Sequence, residues 1–285
     1  MGNYFSGMKV AIVGLGIIGE AWADNLAADG LPLATWNRSP KQRPDFVPDL
    51  LQAVGDATHI FIVVADAPAV AELVAKIVPV LHAGQTVLQS STITPDAVRA
   101  AAAAVAPTGA LFLDAPFTGS KPAAQQRQTV YYLGGEAAAI EAARPVLERL
   151  SKTILHIGGI GAGSALKLAM NLNIAQVAQS LSESLTLARA SGISDELYFQ
   201  ALKANVSNSG ITALKETKLR TNDFSPQFSL KHMFKDLRQA QELAGQKGTK
   251  LPQLETVLKV YAEGAAKGWG DQDFTTLIQL LAKDE

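Results

Sequence analysis

A lysine and an asparagine four residues apart are the side chains of this sequence whose types and spacing best suit chemistry. Lys167 and Asn171 lie in an apolar segment, and a helix predicted over 162–190 places them on one face, one turn apart. An unperturbed lysine has a pKa of about 10.4 and is a ready proton donor at pH 7. Two interpretations stay open from the residues alone: a functional amine, or a lysine whose stem lies along apolar neighbours while its amine reaches water.

The run Thr118-Gly119-Ser120 follows a strand predicted over 110–113 and offers hydroxyls and backbone N–H groups on a turn. A concave group of such donors can hold a small carboxylate. The residues favour equally a glycine turn whose hydroxyls cap the next helix.

A third candidate is Lys235, which precedes Asp236 in an amphipathic helix predicted over 229–247. Such a pair is ordinarily typical of a solvated, charged helix face. Its chemical interest depends on the motifs that accompany it.

A glycine-rich turn lies near the start of the chain. The apolar run after Lys9 ends in Gly14-Leu15-Gly16-Ile17-Ile18-Gly19, and a helical stretch from Glu20 to Ala28 follows. A strand, this turn and a helix N-terminus together are typical of a site for a dinucleotide pyrophosphate. Gly14 permits the turn, Gly16 lets the backbone approach the phosphates, and Gly19 lets helix and strand pack closely. The alternative is a glycine turn that serves only packing.

The end of the second predicted strand, over 32–36, indicates which dinucleotide is bound. NAD sites usually place Asp or Glu there, whereas an arginine suits the 2′-phosphate of NADP. Here Asn37-Arg38-Ser39 follows the strand, and no carboxylate occurs between Leu31 and Pro44. The sequence therefore predicts NADP(H) rather than NAD(H). The alternative for Arg38 is an ordinary solvated loop charge.

The elements that must position these residues change character along the chain. Predicted strands lie at 9–13, 32–36, 59–64, 86–89, 110–113, 129–133 and 153–157, with helical stretches at 68–78, 95–106 and 136–150 between them. Alternating strands and helices predict a parallel sheet covered by helices. After the glycines at 158–163 only helical periodicity remains, in the long helix and at 195–205, 208–221, 229–247, 251–267 and 271–283.

The predicted fold class is α/β. A Rossmann-type, doubly wound, mostly parallel sheet at 1–160 binds NADP, and an all-α domain at 161–285 serves substrate binding and dimerisation. A long interdomain helix joins them.

Composition narrows the function classes. A formal net charge of −1 gives no electrostatic case for nucleic acid or an anionic membrane. The chain has no cysteine, which excludes a thiol nucleophile and Cys-ligated metal, and its four histidines show no metal-ligand spacing. No apolar run reaches about 18 residues, and the stretch 1–7 lacks the apolar core of a signal peptide. We therefore expect no metal, no nucleic-acid or membrane partner, and a cytoplasmic location.

Five motifs in order resemble those of the β-hydroxyacid dehydrogenase family, which includes 3-hydroxyisobutyrate dehydrogenases and tartronate semialdehyde reductases. The resemblance runs from about residue 9 to 283. The matching segments are the glycine turn, the Ser-Thr-x-x-Pro segment 91–95, the substrate motif 114–120, the lysine motif 161–171 and the Lys-Asp pair 235–236. The segment 271–274 resembles the family's C-terminal acidic-aromatic segment. Such ordered motifs are far more specific together than any one alone.

The resemblance implies roles for these residues. Lys167 would be the catalytic acid and base, with Asn171 beside it, while Thr118, Gly119, Ser120 and Lys235 would bind a small carboxylate substrate. The residues implied to bind NADP(H) are Gly14, Leu15, Gly16, Ile17, Ile18, Gly19, Asn37, Arg38, Ser39, Val64, Ala65, Thr92 and Lys235. The family also implies a homodimer.

Departures from the family pattern refine the expected reaction. Thr118 stands where the family usually has Ser, Ser120 replaces the second Gly, and Phe117 replaces a smaller residue and is predicted to narrow or reshape the pocket. The run Gly119-Ser120-Lys121-Pro122-Ala123, with Asn37-Arg38-Ser39, looks more like the NADPH-using glyoxylate and succinic semialdehyde reductases. The alternatives are an imine reductase, a class that shares the two-domain build but usually lacks the lysine, and a non-catalytic NADP-binding protein.

Overall fold

The computed structural model describes residues 7–281. The expectations for residues 1–6, and for the end of the last helical stretch beyond 281, lie outside the described residues. The chain divides into two compact units, of which the first ends at Lys167 and the second begins at Leu168. The sequence analysis predicted the division at residues 160 and 161.

The first unit alternates strands and helices, as predicted from the sequence. Its strands are β1 (Val10–Val13), β2 (Leu33–Trp36), β3 (His59–Ile62), β4 (Thr86–Gln89), β5 (Leu111–Asp114), β6 (Phe117–Thr118), β7 (Thr129–Gly134) and β8 (Ser151–Gly158). Its helices are α1 (Ile17–Ala28), α2 (Leu50–Gly55), α3 (Ala67–Ile77), α4 (Pro95–Val105), α5 (Lys121–Gln125) and α6 (Ala137–Leu147). The two-residue strand β6 and the short helices α2 and α5 were not predicted.

The described strands form one sheet in the order β2-β1-β3-β4-β5-β7-β6, with β8 also paired to β7. The first five strands in this order are parallel, whereas β7 runs antiparallel to β5 and β6 and parallel to β8. The order changes direction between β1 and β3, and ligands of such sheets bind outside the carboxyl ends of the strands at this point. The glycine turn directly follows β1.

Helices cover the sheet on both faces, because its central strands are apolar on both faces. In β1, Val10 and Ile12 pack into one buried cluster, while Ala11 and Val13 pack into another. This is the pattern of a strand buried on both sides in a parallel sheet. The prediction of a doubly wound, mostly parallel sheet is confirmed.

Polar residues fix the starts of the helices next to the sheet edge. The side chain of Asp66 accepts a hydrogen bond from Ala69 N at 3.0 Å and caps α3, and Thr94 accepts from Ala97 N at 3.4 Å to cap α4. A proline occupies the first turn of each helix, where its missing N–H costs nothing. These caps set where the loops after β3 and β4 end.

The second unit is helical, as predicted. The long helix α7 (Ala162–Ala190) begins in the first unit, and α8 (Asp195–Ala204), α9 (Gly210–Thr221), α10 (Leu230–Gln246) and α11 (Pro252–Ala266) follow it. Gly192, at φ +76°, ends α7 where the sequence predicts a C-cap. The prediction of an ordinary helical stretch over 271–283 was wrong in its described part, because Phe274–Leu281 forms 3-10 turns. The buried carboxylate of Asp273 binds the Thr275 N–H at the start of this segment.

No helix between residues 7 and 281 has the length and apolar character that a bilayer span needs.

Candidate active site

Each of the three glycines in the turn after β1 is required there for a different steric reason. Gly14 adopts φ +111°, and a Cβ there would lie 2.2 Å from the carbonyl oxygen of Val63. A Cβ on Gly19 would lie 1.9 Å from the carbonyl oxygen of Gly14, so helix and turn touch through it. A Cβ on Gly16 would meet no atom within 4 Å. This last position faces outward, as the approach of a phosphate to the backbone requires.

The start of α1 suits an anion. Gly16 is its N-cap residue, and no side chain in the described part of the protein caps this end. The N–H groups of a first helical turn point out along the axis and carry the positive end of the helix dipole. Leu15 is buried and Ile17 is 48 % exposed, so the turn presents its backbone next to an exposed apolar side chain. The residues present fit a dinucleotide pyrophosphate.

Asn37, at the end of β2, braces this turn. Its side-chain oxygen accepts a hydrogen bond from Leu15 N at 3.0 Å, and its Nδ2 donates to the carbonyl of Ser39 at 2.9 Å. One amide side chain therefore ties the glycine turn to the loop that carries Arg38. The sequence analysis assigned Asn37 only to the binding of NADP(H) and did not predict this contact with the glycine turn.

The cationic residues after β2 differ in whether they form ion pairs within the protein. Arg43 pairs with both Asp45 and Asp24, and its pKa is raised, chiefly by the hydrogen bond to Asp45. Lys41 pairs with Glu20 at 2.8 Å. Arg38 and Ser39 are exposed, and Arg38 makes no ion pair with any residue of the described range. Arg38 is thus the cation of this loop best placed to bind an added anion.

The loops after β3 and β4 are joined by a hydrogen bond. The N–H of Val64 donates to the Ser91 hydroxyl at 2.8 Å, and Ser91 is buried. Ala65 is exposed and Thr92 half-buried beside this contact in the sequence. Both loops therefore end at the same edge of the sheet as the glycine turn, which is where the sequence analysis expects cofactor contacts.

The segment Thr118-Gly119-Ser120 forms a tight connection between β6 and α5. Gly119 has φ +144°, and a Cβ there would lie 2.9 Å from the Thr129 side chain, so the turn requires glycine. Ser120 is the N-cap residue of α5, and its carbonyl accepts from Ala124 N at 2.9 Å. Burial raises the pKa of Tyr132, while a hydrogen bond with the Thr118 side chain lowers it. Ser120 begins the helix, but its hydroxyl makes no capping hydrogen bond in the described part of the chain, so the structure gives no support to the interpretation of a capping hydroxyl at this residue.

Lys167 lies on the first turns of α7 and is 9 % exposed. Its Nζ lies 5.9 Å from the centre of the Phe117 ring, within the range of a cation–π contact. Phe117 in turn packs edge-on against Trp22, with ring centres 4.8 Å apart. The side chain of Lys167 is therefore largely buried beside an aromatic group, a position that suits a functional amine and also a lysine whose stem lies along apolar neighbours.

Asp114, the last residue of β5, is fully buried and binds the start of α7. Its carboxylate accepts hydrogen bonds from Gly161 N at 3.1 Å, Ser164 N at 2.9 Å and the Ser164 hydroxyl at 2.6 Å. Burial raises its pKa to about 6, and these hydrogen bonds oppose the rise. The sequence analysis quoted Asp114 as the start of a motif but gave it no role. The sequence shows an acid after a predicted strand and glycines before a predicted helix, but it does not show that the acid is buried or which donors it faces.

In the second unit, Asp236 joins two of the predicted site residues. Its Oδ2 accepts from Asn171 Nδ2 at 2.6 Å, and its Oδ1 forms an ion pair with Lys235 Nζ at 2.8 Å. Asp236 is 1 % exposed, so a buried carboxylate holds one amide on α7 and one amine on α10. The solvated-face interpretation of the Lys235–Asp236 pair therefore does not apply to Asp236.

Taken by unit, the first provides an anion-binding helix start, a cationic loop, hydroxyl and N–H donors, and the amine of Lys167. Such groups can bind a phosphorylated dinucleotide and a carboxylate and can deliver a proton. The second unit provides an oriented amide and an amine. Thiol chemistry has no part in it, since the sequence has no cysteine.

Two family models match the chain, one for each unit. Residues 9–158 match the NAD-binding domain of 6-phosphogluconate dehydrogenase. Residues 161–281 match the NAD-binding model of NADP-dependent 3-hydroxyisobutyrate dehydrogenase. Together the models extend over nearly all of the residues that the structure describes.

Individual relatives match nearly the whole of this chain. The chain is 26 % identical to chloroplastic glyoxylate/succinic semialdehyde reductase 2 of Arabidopsis thaliana, over 96 % of this chain and 79 % of that one. It is 29 % identical to 2-hydroxy-3-oxopropionate reductase of Escherichia coli K12, over 96 % and 97 %. A solved structure of Mycobacterium tuberculosis 3-hydroxyisobutyrate dehydrogenase with L-serine superposes with a TM-score of 0.88 at 26 % identity, covering 96 % of this chain and 99 % of that one.

Proposed function

The chain belongs to the β-hydroxyacid dehydrogenase family of NAD(P)-dependent enzymes, and from that premise we propose that it reduces a small aldehyde acid to the hydroxy acid with NADPH. Glyoxylate and succinic semialdehyde are the substrates we favour. The observation that carries the proposal is the largely buried side chain of Lys167, on a helix whose start is tied to the end of β5. The substrate motif continues directly from that strand.

Each residue has a defined task in this proposal. The Thr118 hydroxyl and the backbone N–H groups of Gly119 and Ser120 bind the carboxylate of the substrate. Bound NADPH supplies the hydride. Lys167 donates a proton from Nζ to the carbonyl oxygen, which would otherwise become an alkoxide. In the reverse direction the neutral amine accepts the proton.

The second unit contributes orientation and charge. Asp236 holds the amide of Asn171, so that Asn171 can orient the lysine or the substrate oxygen one helical turn away on α7. Lys235, paired with Asp236, adds positive potential for an anionic ligand. The homodimer and the cytoplasmic location stay predictions from the family resemblance and the composition.

Initial rates test this function directly. We expect oxidation of NADPH with glyoxylate, succinic semialdehyde, tartronate semialdehyde or methylmalonate semialdehyde, and little with cyclic imines. Turnover of cyclic imines alone would favour the imine reductase alternative. NADPH binding without turnover of any of these compounds would favour a binding protein and contradict the proposal.

The choice of NADPH over NADH depends on Arg38, and its removal gives a testable result. We expect Arg38→Ala to raise the KM for NADPH by about tenfold, because an arginine–phosphate hydrogen bond is lost from an exposed site. The KM for NADH should stay nearly unchanged, since NADH has no 2′-phosphate. Steady-state rates with each cofactor measure both values.

The matched control is Arg144→Ala, which removes an exposed arginine that pairs with Glu141 on α6. This variant should leave both KM values unchanged. An equal rise of both KM values in Arg38→Ala would show a general disturbance of the loop and would contradict the assignment of the phosphate to Arg38.

A further inference from the structure

We propose that Asp114 is a positioning residue, whose carboxylate fixes the first turn of α7 against the end of β5 and thereby sets the place of Lys167. The inference rests on the proposed role of Lys167 as proton donor. In this inference Asp114, the first residue of the substrate motif, acts on helix α7, which carries Lys167, and does not contact the substrate.

The hydrogen bonds of Asp114 all reach one short segment of chain. Both carboxylate oxygens are used, Oδ2 by the N–H groups of Gly161 and Ser164 and Oδ1 by the Ser164 hydroxyl. Lys167 comes three residues after Ser164 in the same continuous helix. Because a helix moves as a rigid rod over one turn, a displacement at Ser164 is passed on to Lys167.

Two glycines make this contact close. A Cβ on either Gly134 of β7 or Gly163 of α7 would lie 3.1 Å from Oδ2 of Asp114. At Gly163 it would also lie 2.2 Å from the carbonyl oxygen of Tyr132. The helix start therefore packs on the sheet at backbone contact distance around the carboxylate. Such packing leaves little room for α7 to shift while the hydrogen bonds persist.

A buried carboxylate costs more desolvation free energy than a helix cap with only a structural role requires. A neutral serine or asparagine caps a helix without the desolvation that a buried carboxylate suffers. A carboxylate, in return, forms shorter and stronger hydrogen bonds to N–H groups than a neutral oxygen does. These stronger hydrogen bonds hold the start of α7 more firmly than a neutral cap would. A firm hold matters because catalysis is sensitive to displacements of about 1 Å.

Other ionisable residues lie on the elements packed around this segment and must be separated from Asp114 in any pH experiment. They are Arg99 on α4, whose guanidinium lies beside Gly161, His156 on β8, which contacts the Gly135 carbonyl, Tyr132 on β7 and Lys167 on α7. The neighbour of Asp114 on β4 is the neutral Gln89. His156, whose Nε2 lies 3.1 Å from the Gly158 carbonyl oxygen, requires its own control.

The pH dependence of reduction tests the proposal. Lys167 is protonated at low pH, so it causes no loss of reduction rate on the acid side. We therefore expect the acid limb of kcat to follow Asp114, whose pKa is about 6, with a fall of about tenfold as the carboxylate is protonated. Ser164→Ala removes a hydrogen bond that lowers this pKa, so the limb should move to higher pH.

Two comparisons complete the kinetic test. The KM for NADPH should stay unchanged in Ser164→Ala, because a general loss of structure would affect cofactor binding as well. His156→Asn should leave the limb where it is in the wild type. A limb that stays in place in Ser164→Ala, or that disappears in His156→Asn, would overturn the proposal.

Hydrogen exchange separates this inference from the proposed function. We expect the amides of residues 161–167 to lose protection as pH falls through about 6, after correction for intrinsic exchange, and at higher pH in Ser164→Ala. Protection that is independent of pH and of the variant would overturn the proposal. Should no aldehyde acid be turned over, the proposed function fails, and the exchange data alone decide whether Asp114 fixes the start of α7.

Discussion

Lys167→Met is expected to lower kcat for aldehyde reduction by at least about 10³-fold while leaving the affinity for NADPH nearly unchanged. The variant removes both the proton donor and the positive charge that stabilises the developing oxyanion, and each effect alone is worth about 10²-fold or more. Methionine retains most of the volume of lysine, so the packing against Phe117 is preserved. Steady-state rates and titration of NADPH fluorescence measure the two quantities.

The control for this variant is Lys152→Met, the same substitution at an exposed position on β8. It should retain full activity. Residual activity in Lys167→Met within tenfold of the wild type would show that another group supplies the proton, and the assignment of the catalytic acid would then be wrong.

Lys215→Met is expected to lower the free energy of unfolding by about 3–5 kcal/mol, the usual loss when one partner of a buried ion pair is removed. Lys215 is 1 % exposed, and its Nζ lies 2.8 Å from Oδ2 of Asp273, which is fully buried. The same amine lies 4.5 Å from the centre of the Phe274 ring. Without it, the carboxylate of Asp273 stays buried with no cation beside it.

Asp273 shows why this pair matters for the second unit. Its carboxylate also accepts hydrogen bonds from the backbone of Gln227 and Phe228, which precede α10, and from Thr275. Burial raises its pKa, and Lys215 with these donors more than offsets that rise, so the pKa lies below its ordinary value. The ion pair therefore joins α9, the segment before α10 and the C-terminal turns.

Denaturant unfolding of the wild type and Lys215→Met measures the loss. The matched control is Lys203→Met, which removes an exposed lysine paired with the half-buried Glu216 and should cost less than about 1 kcal/mol, because Arg220 also pairs with that carboxylate. Equal losses in the two variants would contradict the view that burial makes the Lys215–Asp273 pair important.

The repeat of apolar residues along the longer strands and helices made most of the fold predictable. The short elements were missed, because they contain too few residues to show such a repeat. The apolar strands and the 29-residue helix α7 have patterns strong enough to identify. By contrast, β6 has two residues and is defined only by its pairing with Tyr131 and Val130 of β7. The helix α5 depends on Pro122 and a turn, and no apolar period marks it. Tertiary pairing decides such elements, and the local sequence does not contain it.

Sequence spacing could name the glycine turn as a candidate site, because the backbone geometry that it needs is local. Spacing alone left Lys167 open to two interpretations, and its catalytic role was predicted only through the resemblance to the family. The contacts of Asp114 and Asp236 could not be predicted, since each joins segments about 50 or more residues apart in the sequence. Buried acids of this kind have no sequence signature of their own, and only the fold shows which donors they face.

The brace formed by Asn37 has a consequence for redesigning cofactor choice. Exchange of the amide for a carboxylate at this position is the obvious step toward NADH, because NADH-using relatives of the fold commonly have an acid at the strand end. Aspartate would retain the acceptor for Leu15 N but lose the donor that holds the Ser39 carbonyl. The Asn37→Asp substitution would thus change the cofactor preference and, at the same time, remove the hydrogen bond that holds the loop of Arg38. A successful redesign has to restore that tether with a second residue, and a library that varies position 37 alone would miss it.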